Sequence, residues 1–116
     1  MTNQQQPAAV PTNPIQPDFP EMVRLTNEFL FGQFWERPQL SKRDRSLITI
    51  SVLTALYRHG QIAGHVNRGL DNGLSHDEIA EAITHVMLYA GWPAGVQAAN
   101  IAKTVFEERG ISNAKK

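Results

Sequence analysis

The segment from Ser75 to Gly95, SHDEIAEAITHVMLYAGWPAG, constrains the fold most, because it contains the start, the periodicity and the end of one amphipathic helix. Ser75 followed by Glu78 forms a capping box, in which each side chain accepts a hydrogen bond from the backbone N–H of the other residue. Gly91 can end the helix in a left-handed conformation. Pro93 can open the next helix, where its missing N–H costs nothing.

This predicted helix has two stripes of different chemistry. At about 100° per residue, five apolar residues share the face expected to pack in the core: Ile79, Ile83, Val86, Met87 and Ala90. The roughly opposite face has Glu78, Glu81, His85 and Tyr89, where a spacing of three or four residues brings carboxylate, imidazole and phenol within mutual reach. Such a row of ionisable groups can handle protons.

The rest of the chain also has helical patterns, and strand patterns are lacking. Helices are predicted over residues 19–31, 41–57, 61–72, 75–91 and 93–109. Ser41 can cap the second of these helices, and Gly73 can end the third. The sequence therefore predicts an all-α protein, a compact bundle of about five helices.

The second predicted helix has apolar residues around its whole axis, from Leu47 to Leu56. A helix that is apolar all round is buried on all sides. Because a chain of 116 residues can hardly cover such a helix alone, we expect a partner subunit to cover part of it, and hence a homo-oligomer.

The two ends of the chain differ in composition from the middle. Residues 1–18 hold Pro7, Pro11, Pro14 and Pro17 with few apolar residues between them, a composition typical of an extended or disordered arm. We expect one helical domain over residues 19–110 and a short tail over residues 111–116.

Composition excludes several classes of function. Lys plus Arg and Asp plus Glu both number 11, so no net field favours a nucleic acid or an anionic membrane as partner. The absence of cysteine excludes disulfides, thiolate nucleophiles and sulfur-ligated metals. No apolar run approaches the roughly 20 residues that span a bilayer, so we expect a cytoplasmic protein.

A series of residues then agrees in order and spacing with one known family: Trp35-x-Arg37-Pro38-x-Leu40-Ser41, the run Arg43 to Ile50, His65, Asn72-Gly73, Glu78-Ile79, Glu81, Tyr89, Gly91 and Pro93-Ala94. Over residues 31–106 the chain resembles the carboxymuconolactone decarboxylase family. The resemblance implies an all-helical fold, assembly through helix packing between subunits, and a ring-shaped homohexamer.

A sister branch of that family, the alkylhydroperoxidase-like proteins, uses a Cys-x-x-Cys pair three residues before a histidine. If that histidine is aligned on His65, Arg58 and Gln61 stand where the thiols belong, and Ser46 stands where a proton-relay glutamate belongs. A thiol peroxidase needs a thiolate, so this chemistry is excluded.

The resemblance implies a decarboxylase of a carboxylated butenolide such as 4-carboxymuconolactone, in the β-ketoadipate pathway of aromatic catabolism. The electrons left by CO2 delocalise through the ring double bond into the lactone carbonyl, and reprotonation gives an enol-lactone. Because the substrate supplies this electron sink, no cofactor is required. The site must stabilise an oxyanion, donate a proton and bind the carboxylates of a small anionic lactone.

His65 matches the family histidine and is the first candidate for catalysis, since its ordinary pKa lies near neutrality. His85 is a second candidate, with Glu81 one turn earlier to orient it, although this pair can equally be a structural link. Arg45 and Arg68 are candidates for binding the anionic substrate, and Tyr89 and Trp35 for the walls of its pocket. Each of these side chains also has a purely structural interpretation as a packed or surface residue.

Two alternatives remain open from the sequence. His59, His65 and His85 suggest a zinc site, but none of their spacings is a recognised zinc motif, so no metal is expected; His59 and His76 are interpreted as exposed residues beside helix ends. Since a fold does not fix function, a non-catalytic oligomeric protein that binds small molecules or acts as a scaffold is the alternative to the enzyme.

Overall fold

The structure, a computed structural model, describes residues 18–112. Every regular element in this range is helical, which confirms the predicted all-α class. The α-helices are α1 (Pro20–Arg24), α2 (Lys42–Ala55), α3 (His59–Asp71), α4 (His76–Ala90) and α5 (Trp92–Glu108). The predicted arm, except for its last residue, and most of the predicted tail lie outside the described residues. The chain divides into two compact units after residue 42.

In the first unit, α1 continues directly into a π-helical stretch, Leu25–Leu30, and a 3₁₀ turn follows at Phe34–Glu36. The predicted helix over residues 19–31 is therefore present, with a wider turn in its second half. A side chain at Gly32 would lie 2.6 Å from the carbonyl oxygen of Glu28, so glycine is needed where this helix ends.

In the second unit, α5 packs against both α3 and α4. The buried apolar core of this unit consists of Ile50, Ile62, Val66, Leu74, Ile79, Ile83, Ala98, Ala102, Val105 and Phe106. The small residues Ala98 and Ala102 on α5 leave room for larger side chains from the other helices, so the elements interdigitate at close range.

Both ends of α4 follow the sequence prediction. Ser75 Oγ accepts a hydrogen bond from the N–H of Glu78, and Glu78 Oε1 accepts one from the N–H of Ser75, so the capping box is complete. Gly91 has φ 121° and ψ 146°, a region that is open to glycine and strained for other residues. Because only Gly91 separates α4 from α5, its backbone sets the angle between the two helices.

The other helix ends use the same hydrogen-bond pattern three times. After α3, the N–H of Leu74 bonds to the carbonyl of Gly69 and that of Gly73 to Leu70, which is the Schellman motif with Gly73 at φ 107°. The predicted stop at Gly73 is confirmed. The same motif ends α5 at Gly110, and it ends α2 at Tyr57, a bulky residue with φ 59°.

Helix α2 differs from its prediction. Its buried face contains three polar residues, Arg45, Ser46 and Thr54, together with Ile50. The apolar side chains of Ile48, Val52 and Leu56, one turn apart, are about half exposed in the single chain. Ser46 and Thr54 thus occupy the face that packs inward, and the expectation that a partner subunit covers the apolar side stays a prediction.

Two glycines allow helices to approach closely. A Cβ at Gly95 of α5 would lie 2.4 Å from the Cβ of Met87 on α4. A Cβ at Gly69 of α3 would lie 2.9 Å from Leu74 Cδ1 and 3.2 Å from Ile50 Cδ1 of α2. These contacts bring α3, which bears His65, against α2, and α4, which bears His85, against α5.

Candidate functional site

Helix α3 places His65 and Arg68 one turn apart, and both side chains are partly buried. Burial, and then the positive charge of Arg68, lower the pKa of His65 to about 4. Burial also lowers the pKa of Arg68, and the Asp71 carboxylate offsets part of that effect. At neutral pH this face of α3 therefore presents a neutral imidazole beside a guanidinium cation.

Further along α3, Asn67 and Asp71 accept hydrogen bonds from Arg109, the residue that follows α5. Arg109 Nη2 donates to Asp71 Oδ1 at 2.9 Å, and Arg109 Nη1 donates to Asn67 Oδ1 at 3.0 Å. This network was not predicted from the sequence. The three-residue spacing of Arg68 and Asp71 could have indicated that these two charges interact on one face of α3. The hydrogen bond from Arg109 to Asp71, 38 positions apart, is apparent only from the fold.

Arg45 lies on the buried face of α2, and its exposed fraction is 7%. Its neighbour Ser46 accepts a hydrogen bond from Asn72 Nδ2 at 3.0 Å, which links α2 to the end of α3. A buried arginine is uncommon and needs compensating interactions. Arg45, a predicted anion-binding residue, therefore lies inside the fold of the single chain.

The ionisable stripe of α4 is present but lies on the outside of the chain. The rings of His85 and Tyr89 stack with centroids 5.0 Å apart, and Tyr89 is 83% exposed. Glu81 is exposed and makes no hydrogen bond or ion pair within residues 18–112. The chain by itself thus pairs His85 with Tyr89 and does not pair it with Glu81.

Glu78, the first member of that stripe, has a structural role. Its carboxylate accepts hydrogen bonds from the backbone of Ser75 and from Arg43 of α2. These bonds, that to Ser75 first, hold the pKa of Glu78 below its usual range. Glu78 therefore caps α4 and connects it to α2.

Trp35 belongs to the first unit. It is buried, and its ring centroid lies 5.4 Å from that of Phe31, in a tilted arrangement. The preceding residue, Phe34, is 41% exposed. Within this unit Trp35 acts as the packing partner of Phe31.

The two remaining histidines begin helices, as expected, but they are less exposed than expected. His76 stacks on Phe106, with ring centroids 4.3 Å apart, and its Nδ1 lies 3.1 Å from Asp77 Oδ1. His59 lies against the ring of Tyr57, at 5.6 Å, and its Nε2 is buried without a hydrogen-bond partner among the described residues. His76 is therefore a packed residue at the start of α4.

Among residues 18–112, no three histidine or carboxylate side chains lie close enough together to hold a metal ion. In the same range no helix combines the length and the apolar character required to cross a bilayer. The cytoplasmic location stays a prediction.

The structure brings together two pairs of the predicted site residues, His65 with Arg68 on α3 and His85 with Tyr89 on α4. His65 and Arg68 are partly buried, whereas His85 and Tyr89 are exposed. The prediction that His65 and His85 approach one space, within a chain or across a subunit boundary, stays a prediction.

The chain is similar in sequence to three known proteins. The chain is 39% identical over 103 residues to the 4-carboxymuconolactone decarboxylase of Acinetobacter baylyi, covering 89% of this chain and 75% of the relative. It is 31% identical over 74 residues to the nitrosuccinic acid decarboxylase npaB of Metarhizium robertsii, covering 64% of this chain and 52% of that protein. An uncharacterized 15.0 kDa protein of Paracoccus denitrificans, from the nqo9–nqo10 intergenic region, is 32% identical over 83 residues, with 70% and 62% covered.

Both named relatives are decarboxylases, and the carboxy-lyase prediction agrees with them. The model of the carboxymuconolactone decarboxylase family matches residues 20–104, which include α1 to α4, most of α5 and every predicted site residue. This match confirms the family inferred from the sequence pattern. With cysteine absent and the helical fold in place, the chain belongs to the carboxymuconolactone decarboxylase family.

Proposed function

We propose that this protein is a cofactor-independent decarboxylase of a small anionic acid, with a carboxylated butenolide such as 4-carboxymuconolactone as substrate. The observation that carries the proposal is the partly buried pair on α3, where a neutral His65 stands one turn from the cation of Arg68. A proton carrier beside an anion-binding group meets two of the requirements of the reaction.

The names of the two decarboxylase relatives support the same type of chemistry. A lactone conjugated to a ring double bond and a nitro group can both take up the electron pair that CO2 leaves behind. Reprotonation of the resulting anion completes either reaction. A site for such substrates needs an anion-binding group and a proton donor, and the electron sink is part of the substrate.

In this proposal His65 is the proton donor, and Arg68 binds a carboxylate and stabilises the developing oxyanion. An arginine can bind a carboxylate through two parallel N–H···O bonds, which fixes the orientation of the substrate.

His85 is the second proton-handling group, and Glu81 orients it once the site is assembled. Both residues are exposed in the single chain, so this part of the proposal requires that another copy covers them. The same exposure favours the second candidate function, a non-catalytic oligomeric protein that binds a small molecule or acts as a scaffold, in which His85 and Tyr89 would remain on the outer surface.

A screen of purified protein against carboxylated butenolides and nitrosuccinate, with CO2 release and ultraviolet absorbance as readouts, tests the function. Replacing a general acid typically lowers the rate by about 10²- to 10⁴-fold, so we expect His65→Gln to reduce kcat by such a factor without lowering the melting temperature. Saturable binding without CO2 release from any of these acids would refute the decarboxylase and support the second candidate.

Arg68 can be tested against a matched control. A charge-assisted hydrogen bond contributes about 1.5–3 kcal/mol, so Arg68→Gln should raise KM by roughly 10- to 150-fold. Arg58, exposed at the start of α3, serves as the control, and Arg58→Gln should leave KM unchanged. Equal effects of the two substitutions would contradict the assignment of Arg68 to substrate binding.

The proposal includes assembly into a homohexamer. Two groups of exposed apolar side chains support self-association: Ile48, Val52 and Leu56 on α2, and Leu88, Trp92 and Val96 at the junction of α4 and α5. Contiguous exposed apolar groups of this kind mark interaction surfaces.

Light scattering at micromolar concentration tests the assembly. Val52→Lys places a charge in the middle of the α2 stripe and should lower the molecular mass, whereas Glu108→Lys, at an exposed position at the end of α5, should not. A stable monomer in the unmodified protein would refute the assembly and, with it, the role proposed for His85.

A further inference from the structure

The charges along α3 are unevenly balanced. His65, Arg68 and Asp71 follow one another at intervals of three residues and therefore share one ridge of the helix. Asp71, the carboxylate of this ridge, attracts Arg68, but it is 66% exposed and also accepts a hydrogen bond from Arg109. Its negative charge is thus divided between two cations and screened by solvent.

Burial, together with the neighbouring cation of Arg68, sets the charge of His65. A protonated imidazole there would be partly buried and one turn from another cation, and both circumstances disfavour it. With a pKa of about 4, roughly one molecule in a thousand carries the proton at pH 7. A general acid must hold a proton in order to donate it, so only this small protonated fraction of the empty protein can act as the acid.

Other charged groups on the helices packed against α3 do not change this picture. Burial and Arg68 are the causes of the low pKa of His65. The remaining charged groups of α2 are Lys42, which pairs with Glu36, the bonded Arg43 and Asp44, and the buried Arg45. Those of α5 and its end are the paired Lys103 and Glu107, the exposed Glu108, and Arg109, which binds Asp71 and Asn67.

We infer that Arg68 couples the charge state of His65 to the presence of substrate: a carboxylate that binds at Arg68 draws a proton from solvent onto His65. The inference rests on the proposed function for the identity of the acid. An anion at Arg68 offsets the cation that repels the imidazolium and adds an attractive charge. An opposite charge at about 4–6 Å typically moves a pKa by 1–3 units. Such a change raises the pKa of His65 toward neutral pH, so that a larger fraction of the imidazole is protonated.

The reaction then proceeds with a balanced proton. The bond between the ring carbon and the carboxylate breaks, CO2 leaves, and its electron pair moves into the conjugated carbonyl. A C–H bond forms as that electron pair takes the proton from His65, and His65 returns to its neutral form. One proton from solvent is consumed for each CO2 released, and it enters the site only when an acid is bound.

The coupling can be measured without turnover by following the ¹³C–¹H resonances of His65 against pH, with His65→Gln to assign them. Succinate is the probe, because it has two carboxylates and no electron sink, and the uncharged succinamide is its control. With succinate at about 100 mM, the titration of His65 should move upward by about one pH unit or more. Succinamide should not move it.

Two variants give the test its specificity. Arg68→Gln should raise the pKa of His65 in the empty protein and abolish the effect of succinate. Arg58→Gln should behave like the unmodified protein, since Arg58 is exposed and is not a cause of the low pKa. An unchanged His65 titration with succinate, or in Arg68→Gln, would overturn the coupling.

The outcome is separable from that of the proposed function. If CO2 is released normally but succinate leaves His65 unchanged, the coupling alone is refuted. If succinate moves the titration but no acid is decarboxylated, the proposed function fails while the coupling between Arg68 and His65 stands.

Discussion

Gly95 sets how closely α4 and α5 pack, and its replacement by alanine gives a quantitative test of that contact. The added Cβ would lie 2.4 Å from the Cβ and 2.6 Å from the Cγ of Met87. Carbon atoms in van der Waals contact are about 3.5–4.0 Å apart, so the overlap is about 1 Å or more. A Cβ is fixed to its backbone and cannot rotate away, so the two helices must separate.

The expected loss of stability follows from two opposing effects. Overpacking costs about 1–3 kcal/mol, and we take the upper end because both atoms are held by helix backbones. Alanine gains about 1 kcal/mol over glycine in helix propensity. The net loss is therefore about 2 kcal/mol, and the melting temperature should fall by about 8–16 °C for a domain of this size.

Gly64→Ala on α3 is the matched control, because a Cβ there would meet no atom within 4 Å among residues 18–112. It should stabilise the protein by about 1 kcal/mol through helix propensity alone. Circular dichroism of both variants during heating, at one protein concentration, gives the comparison. If Gly95→Ala melted at or above the temperature of the unmodified protein, the close packing of α4 on α5 would be refuted.

Three further predictions concern stability. The pKa of His65 in the folded protein lies below its ordinary value of 6.5, so the neutral imidazole contributes to folding stability fully above about pH 6.5. This contribution is lost as pH falls toward 4, because the unfolded chain takes up the proton first. The urea midpoint of His65→Gln should therefore depend less on pH over this range than that of the unmodified protein. Ser75→Ala should lower the free energy of unfolding in urea by about 1 kcal/mol, because it removes the acceptor for the Glu78 N–H, and no change would refute the cap. Tyr57→Gly should raise the melting temperature, because the left-handed conformation costs a bulky residue about 1–2 kcal/mol, more than the contact with His59 contributes; a lower melting temperature would show the reverse.

Local sequence signals predicted most of the fold. The capping box at Ser75 and the glycine at Gly73 set helix ends through hydrogen bonds between residues close in sequence, and the structure has both. The π-helical stretch at Leu25–Leu30 and the left-handed Tyr57 were not predicted, because neither has the residue type that usually marks such a conformation.

The candidate site was less predictable, because it depends on which face of each helix is covered. Periodicity correctly put Glu81, His85 and Tyr89 on one face of α4, but it could not tell whether another chain covers that face. The low pKa of His65 depends on burial, which periodicity alone does not quantify. Likewise, the link from Arg109 to Asp71 depends on the packing of α5 on α3.

The joint at Gly91 has a consequence for the order of folding. Because a single residue separates α4 from α5, their first contacts, such as Met87 with Gly95, close a loop of only eight residues. The entropy lost in closing so short a loop is small, and contacts at short sequence separation form early. We expect the α4–α5 hairpin to form before α3 docks on α5, so the charged ridge of α3 is completed late in folding.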